Sequence, residues 1–361
     1  MVLLLRDMVK EDTRFIQNIT AADLAVCEGA DSFLQSAMWG RFKARFGWEA
    51  RAFVVEWTDA GARPLLTLSR RIAPGIAMTY IPWGPELPAD AMSPNATTEL
   101  ARALRPLLPR VAFIRFDPPW FAAKGSAPDG ASSLDEGIPP QLPAPFKRAA
   151  ADIQPPDTVL VDLTPPPEDI LAAMKPKWRY NTGLAKKHGV AVTERGEQGI
   201  GLFYRLLAET AQRDGIAIHN IAYYQALFEE CRDLRLYTAE HEGDVLAAIV
   251  VLCRGKQATY LYGASANVKR NLMAPYALQW KAMQDAREYG CTVYDLFGIP
   301  PNEDPHHPMA GLYRFKTGFG GAIIHRPGSW DYPCKPTLYA LFTGAERLRK
   351  KIRDRRKRQP H

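Results

Sequence analysis

Apolar positions along the chain alternate between two rhythms. Between residues 36 and 46 they fall at helical spacing, with Trp39, Phe42 and Phe46 on one side, which predicts a helix. Residues 52–57, 65–72 and 78–81 are short apolar runs that read as strands, and residues 96–108 return to the helical period. Residues 111–117 predict a buried strand, stopped by Pro118 and Pro119 because proline brings no donor to a β ladder. Residues 124–145 carry Gly, Ser, Asp and Pro without periodicity and predict a long surface loop. The second half opens with a strand at 158–163, followed by a helical region to Lys187 with Thr164 as its expected N-cap. Helices follow at 202–212 and 222–231. Three strands at 234–240, 245–253 and 258–264 then meander through turns at Gly243-Asp244 and Arg254-Gly255-Lys256. A helix at 274–289 and a strand at 291–297 complete the pattern.

Helices, three meandering strands, a helix and a further strand resemble the acyltransferase fold known as GNAT. The fold class expected is therefore α/β (α+β), with mixed, mostly antiparallel sheets flanked by helices. A length of 361 residues suggests two domains, and no short-period repeat is visible although two halves sharing one fold need not show one. With 47% hydrophobic and 24% charged residues the balance is that of a globular protein. The longest clean apolar stretch, residues 245–253, is far short of the ~20 residues of a spanning helix. Residues 1–5 are apolar, but Arg6 and Asp7 follow directly with no cleavage site, so no secretory signal is expected. The 5 cysteines are widely spaced and form no C-x-x-C, which suits a reducing cytoplasm. The net charge of +7 is local: from Glu346 to His361 nine basic residues face two acidic ones, so the remainder is formally neutral. That tail is a candidate for contact with an anionic membrane surface or RNA.

The chain lacks G-x-S-x-G, a Walker-type G-x-x-x-x-G-K and G-x-G-x-x-G. Asp304, His306 and His307 share a Pro-rich loop, and adjacent histidines do not make the i, i+4 pair of a helical metal site, so no metal is expected. A GNAT enzyme using coenzyme A carries a Gly-rich pyrophosphate turn after its last meander strand. Residues 264–274 hold no glycine there, so a different acyl donor and no bound cofactor are expected.

Two stretches carry a more specific resemblance. One is Met174-Lys-Pro-Lys-Trp-Arg-Tyr-Asn-Thr-Gly-Leu-Ala-Lys-Lys-His-Gly-Val190; the other is Tyr294-Asp-Leu-Phe-Gly-Ile-Pro300 with Gly311-Leu-Tyr-Arg-Phe-Lys-Thr-Gly-Phe-Gly-Gly321. Together with Gln35-Ser36, Trp39-Gly-Arg-Phe-Lys43 and Arg115-Phe-Asp-Pro118, they resemble the FemABX family of peptidoglycan-bridge aminoacyltransferases. The resemblance implies two GNAT-like domains: residues 1–157, binding the precursor and completed by the C-terminal 320–361, and residues 158–319. No sustained heptads are present, so the chain is similar to the armless type that lacks a coiled-coil arm. The implied reaction joins the amino acid of an aminoacyl-tRNA to a stem-peptide amine of a peptidoglycan precursor, nucleotide-linked (UDP-MurNAc-pentapeptide) or lipid-linked (lipid II).

An aminoacyl ester is already activated, so positioning, proton removal and a charge facing the oxyanion are what the reaction needs. By the family's motif, Lys316 is the cation for the oxyanion, Phe315 shapes the tRNA-facing site and Asp117 is the proton acceptor. Lys43 matches a lysine that binds precursor phosphates, and Tyr223 and Tyr262 match precursor contacts. His219 stands where a nucleotide-using member has a second phosphate-binding arginine, and imidazole lacks the bidentate fork. Lys175, Lys177, Arg179, Lys186 and Lys187, interleaved with Trp178 and Tyr180, are expected to meet the tRNA acceptor stem. The expected partners are aminoacyl-tRNA and the precursor, for a cytoplasmic monomer touching the inner membrane face. A coenzyme-A-dependent GNAT N-acyltransferase and a non-catalytic module binding precursor or RNA are the alternatives.

Overall fold

The computed structural model describes residues 15–88, 91–108, 110–124, 133–134 and 141–358 of the chain. Residues 1–5, most of the expected 124–145 loop and the chain end after Arg358 lie outside the described residues.

Two sheets repeat one plan. In the first, Ile16–Ala22, Glu49–Trp57, Gly61–Ala73 and Ile76–Ile81 pair antiparallel in turn. Helix Pro94–Leu104 then carries the chain across one face, and Val111–Phe116 enters parallel to Ile76–Ile81. In the second, Ala191–Glu194, Leu234–His241, Asp244–Arg254 and Gln257–Ser265 make the same antiparallel run. Helix Ala274–Glu288 is the crossover there, and Val293–Asp295 enters parallel to Gln257–Ser265. Each sheet continues with one antiparallel strand: Trp330–Pro333 beside Val111–Phe116, and Asp157–Asp162 beside Val293–Asp295. The same GNAT-like order thus occurs twice without a repeat in the sequence.

The sheets exchange chain at their margins. Phe121–Lys124, from the first segment, pairs with Ala322–His325 in the second sheet, and the latter pairs with Asp157–Asp162. The return to the first sheet therefore begins at Trp330 rather than at residue 320. It is locked by a buried bidentate ion pair, in which the Arg115 guanidinium donates to both oxygens of Asp331 at 2.7 and 2.9 Å. Helix Pro336–Arg358 follows and sets Tyr339 and Phe342 against Phe113, with ring centroids 5.3 and 5.0 Å apart. One apolar cluster spans the units, joining Phe33, Trp39 and Phe42 to Phe203, Tyr223, Leu227 and Leu236.

Some local expectations change. The helical region to Lys187 is two helices, Pro167–Ala173 and Pro176–Lys187, because Pro176 has no N–H and disfavours helical backbone in the residue before it. Thr164 is no N-cap: its N–H and O–H donate to Asp162 Oδ1 at 2.9 and 2.8 Å, and Pro166 takes the cap position. Ser36 caps helix Ala37–Ala44 by accepting from the Trp39 N–H at 3.2 Å.

Candidate active site

Where two parallel strands diverge beyond their carboxyl ends, a crevice opens that a single sheet cannot close with its own backbone. In the second sheet the parallel contact spans only three pairs, from Gln257 opposite Val293 to Thr259 opposite Asp295. Lys316, on helix Ala310–Thr317, occupies the region beyond them. Its Nζ donates to the carbonyls of Phe297 and Gly298, each at 2.9 Å, and stands 5.2 Å from the Tyr260 ring centre. Phe297 holds a left-handed φ of 57°, and its N–H donates to Asp295 Oδ1 at 2.7 Å. Asp295 also accepts from the Thr158 hydroxyl, so this turn is tied to the neighbouring strand. Lys316 is 6% exposed, which excludes a solvated surface lysine. Burial brings its pKa down to about 7, with the charge of Asp295 opposing the shift.

The first sheet makes the matching crevice. The Asp117 N–H donates to the Ile81 carbonyl at 3.1 Å, just past the parallel pair Ile76–Ile81 and Val111–Phe116. The Asp117 carboxyl is buried and accepts from the hydroxyls of Tyr80 and Ser329. Burial raises its pKa to about 6, against those two hydrogen bonds. Trp83, beyond the first crevice, meets Phe297, beyond the second, edge to face with centroids 6.0 Å apart. The two crevices therefore abut, around a cavity of about 250 Å³ walled by Ser32, Phe33 and Trp83 on one side, Gln257 and Thr259 on the other, and Arg326. Lys316 and Asp117 sit just behind these walls rather than in them: Gln257 Nε2 donates to Asp295 Oδ2 at 3.4 Å, and Pro119 borders the cavity two positions from Asp117.

The four expected precursor contacts come together along the same seam. Lys43 stands in a ring of aromatics, with Nζ 5.4 Å from Trp39 and 5.8 Å from each of Phe42, Trp48 and Tyr223. Burial, reinforced by the charge of Arg70, lowers its pKa. Among the described residues no carboxylate pairs with Lys43 or Arg70. The pKa of Tyr223 is raised by burial, and its hydroxyl is hydrogen-bonded with Tyr262. His219 lies flat on Tyr223, centroids 3.8 Å apart and planes 12° from parallel. Its pKa is lowered by burial and by the charge of Lys43. Arg70, whose guanidinium lies 5.7 Å over Trp48, is the second cation at this place, and the sequence pattern did not single it out. Phe33 connects the two places, packing on Trp39 at 5.3 Å and on Trp83 at 6.4 Å.

Lys175, Lys177, Lys186 and Lys187 are exposed on or beside helix Pro176–Lys187, as is Tyr180. Arg179 is exposed too, and its Nη1 donates to the carbonyls of Ala172, at 2.8 Å, and Met174, satisfying the end of the preceding helix. This basic helix docks on the Lys316 helix: Trp178 Nε1 donates to the Phe315 carbonyl at 2.8 Å, and Phe315 and Trp178 both pack on Tyr276. A Cβ at Gly318 would collide with the Trp178 ring, which accounts for that glycine in the 311–321 motif. In the 302–308 loop the Asp304 carboxylate accepts from the His306 N–H at 2.9 Å, and His307 Nδ1 from the Met309 N–H at 3.1 Å. No group of three metal-ligating side chains is formed among the described residues. In the 264–274 turn Lys269 and Met273 adopt left-handed backbone without glycine, and Lys269 pairs with Asp244 at 2.9 Å and Glu242 at 3.1 Å.

Residues the pattern left unassigned include Trp83, Asp295 and Arg326. Asp295 stands inside the Tyr294–Pro300 motif, and Trp83 inside an apolar run punctuated by Pro82 and Pro85, so both were visible as composition but not as roles.

A sequence model of the FemAB family matches residues 27–239 and 230–347. The lipid II:glycine glycyltransferase of Staphylococcus saprophyticus is 24% identical over 254 residues, covering 53% of this chain and 61% of that protein. The enzyme of the same name from Staphylococcus aureus is 23% identical over 259 residues, covering 53% and 62%. The chain thus spans less than two thirds of these relatives. The crystal structure of FemX superposes with a TM-score of 0.73 at 19% identity, covering 90% of this chain and 99% of that one, and shares its fold.

Proposed function

The chain belongs to the FemAB family, and from that premise we propose that it transfers an amino acid from aminoacyl-tRNA to the stem-peptide amine of a peptidoglycan precursor. What carries this reading is the pair of abutting crevices, with a buried ammonium just behind the wall of one and a buried carboxylate just behind the wall of the other. Asp117 accepts a proton from the attacking ammonium. The free amine adds to the ester carbonyl carbon, and Lys316 faces the oxygen that becomes negative. The carbon–oxygen bond to the ribose then breaks, the ribose oxygen takes up the second proton that the attacking nitrogen gives up, Asp117 returns its proton to solvent, and an amide and uncharged tRNA leave. Lys43 and Arg70 hold the precursor's phosphates, and the lysines of helix Pro176–Lys187 meet the acceptor stem beside Phe315. No coenzyme enters the step, because the ester already carries the activation. No helix among the described residues is long and apolar enough to cross a membrane. For a lipid-linked acceptor, the basic end of helix Pro336–Arg358 is the part that approaches the anionic inner membrane face.

The test is incubation with charged total tRNA and either precursor form, followed by mass spectrometry. The precursor gains the mass of one amino-acid residue, and ribonuclease treatment of the tRNA abolishes the gain. Gain with an acyl-coenzyme A in place of tRNA, or none with either acceptor, overturns the reading.

The proton inventory sets a pH profile. Transfer rises through about pH 6 as Asp117 deprotonates and falls through about pH 7 as Lys316 loses its charge. In kcat/KM this is a narrow bell. Lys316→Arg keeps its cation at all these values and removes the alkaline limb. A wild-type profile flat across both values contradicts the assignment.

A further inference from the structure

Arg326 lies where the chain crosses from the second sheet to the first, directly after strand Ala322–His325, and it forms part of the cavity wall. Its guanidinium stacks on the Trp83 ring at 4.2 Å and stands 5.9 Å from Phe121. Its Nη1 is buried and has no hydrogen-bond partner. Such a donor is costly to leave unmade, and more so on a charged group.

The charged neighbours explain how the cation survives without explaining what it holds. Asp295, Asp157 and Asp117 act on it electrostatically, yet each carboxylate is engaged elsewhere. Asp157 pairs with His325 at 2.7 Å, Asp117 takes the Tyr80 and Ser329 hydroxyls, and Asp295 takes Thr158 and the Phe297 N–H. Of the two acids in the cavity wall, Asp31 and Glu86, Glu86 accepts from the Ser32 and Asp31 N–H groups at 2.6 and 3.0 Å. A second arginine in the same wall, Arg254, is held by the Glu28 carbonyl and by Asp233 at 3.7 Å, and only its buried Nε lacks a partner. Arg326, a wall cation whose side chain no carboxylate among the described residues holds, suits a small planar anion with two acceptor oxygens.

We propose that this cavity is a carboxylate-binding pocket in which Arg326 holds the C-terminal carboxylate of the acceptor's stem peptide. The assignment rests on the transferase reading above. It fits the layout of the seam, since the acceptor is anionic at both ends. Phosphates at Lys43 and Arg70 mark one end, and Phe33 and Trp83 form a continuous aromatic wall from there to Arg326. The pocket fixes the peptide from its far end, so the reacting amine along it is placed at the two crevices. Arg326 is a positioning residue, separate from the proton transfer.

Calorimetric titration tests this without turnover. The probes are the nucleotide-linked pentapeptide precursor with a free C-terminal carboxylate and the same compound as its C-terminal carboxamide. Wild-type protein binds the carboxamide about tenfold to a hundredfold more weakly, the range for a lost hydrogen bond to a charged group. Arg326→Gln binds both forms equally, at the weaker level, and Arg326→Lys falls between. Equal wild-type affinity for the two forms overturns the proposal whatever the variants do, and so does discrimination that survives in Arg326→Gln or absence of binding to either form. A carboxylate preference in a protein that transfers nothing from charged tRNA separates failure of the transferase reading from failure of the pocket.

Discussion

Lys316→Met lowers the transfer rate by about two orders of magnitude, while precursor affinity changes by less than about threefold. Loss of one preorganised charge from a dry site costs roughly 3 kcal/mol of transition-state stabilisation, which is about 150-fold in rate. The proposed precursor contacts at Lys43, Tyr223 and Tyr262 lie on other elements and are untouched. Methionine fills much of the lysine stem's volume but leaves the Phe297 and Gly298 carbonyls without their donor. Lys316→Arg, which keeps the charge and donors, is therefore the control that separates charge from turn geometry. The measurement is single-turnover transfer beside precursor titration. Turnover of the Met variant within about threefold of wild type takes Lys316 out of the reaction.

Asp331→Ala destabilises the fold by about 3–5 kcal/mol, the range for a buried ion pair that loses one partner. The Arg115 guanidinium would stay buried with no counter-charge, and the Tyr339 hydroxyl would lose its acceptor at 3.2 Å. The pair fastens Trp330–Pro333 onto Val111–Phe116, so the loss loosens the strand that ends at Asp117. Replacing both partners by apolar residues, as in R115M/D331L, recovers most of the loss because no charge is left stranded. Urea unfolding of the three proteins decides it. A single variant within about 1 kcal/mol of wild type refutes the role.

Three strands of each antiparallel run, the two crossover helices and the strand after each were legible in the chain, because period and turn residues are properties of neighbours in sequence; the opening strands Ile16–Ala22 and Ala191–Glu194 and the parallel pairing were not. The resemblance on residues 174–190 and 294–321 likewise pointed to the Lys316 helix and to the helix that docks on it. The break before Pro176 is marked in the sequence by the proline itself, which disfavours helical backbone in the residue before it. The exchange of Phe121–Lys124 and Ala322–His325 into one sheet carried no local mark, since pairing between distant segments depends on which edge is left open.

Charge states and roles were decided in three dimensions. Arg115 and Asp331 are 216 positions apart, and nothing in the chain pairs them until adjacent strands bring them face to face. His219 stood in for an arginine in the chain, but the structure adds Arg70 from strand Gly61–Ala73 as a second cation beside Lys43. The local pattern determined where helices and strands form, because burying one face of a segment needs only its own periodicity. Which ammonium titrates near neutrality, which arginine is left without a partner and which crevices share a wall were settled by tertiary packing, because desolvation and Coulomb interaction act through space between residues the chain keeps far apart.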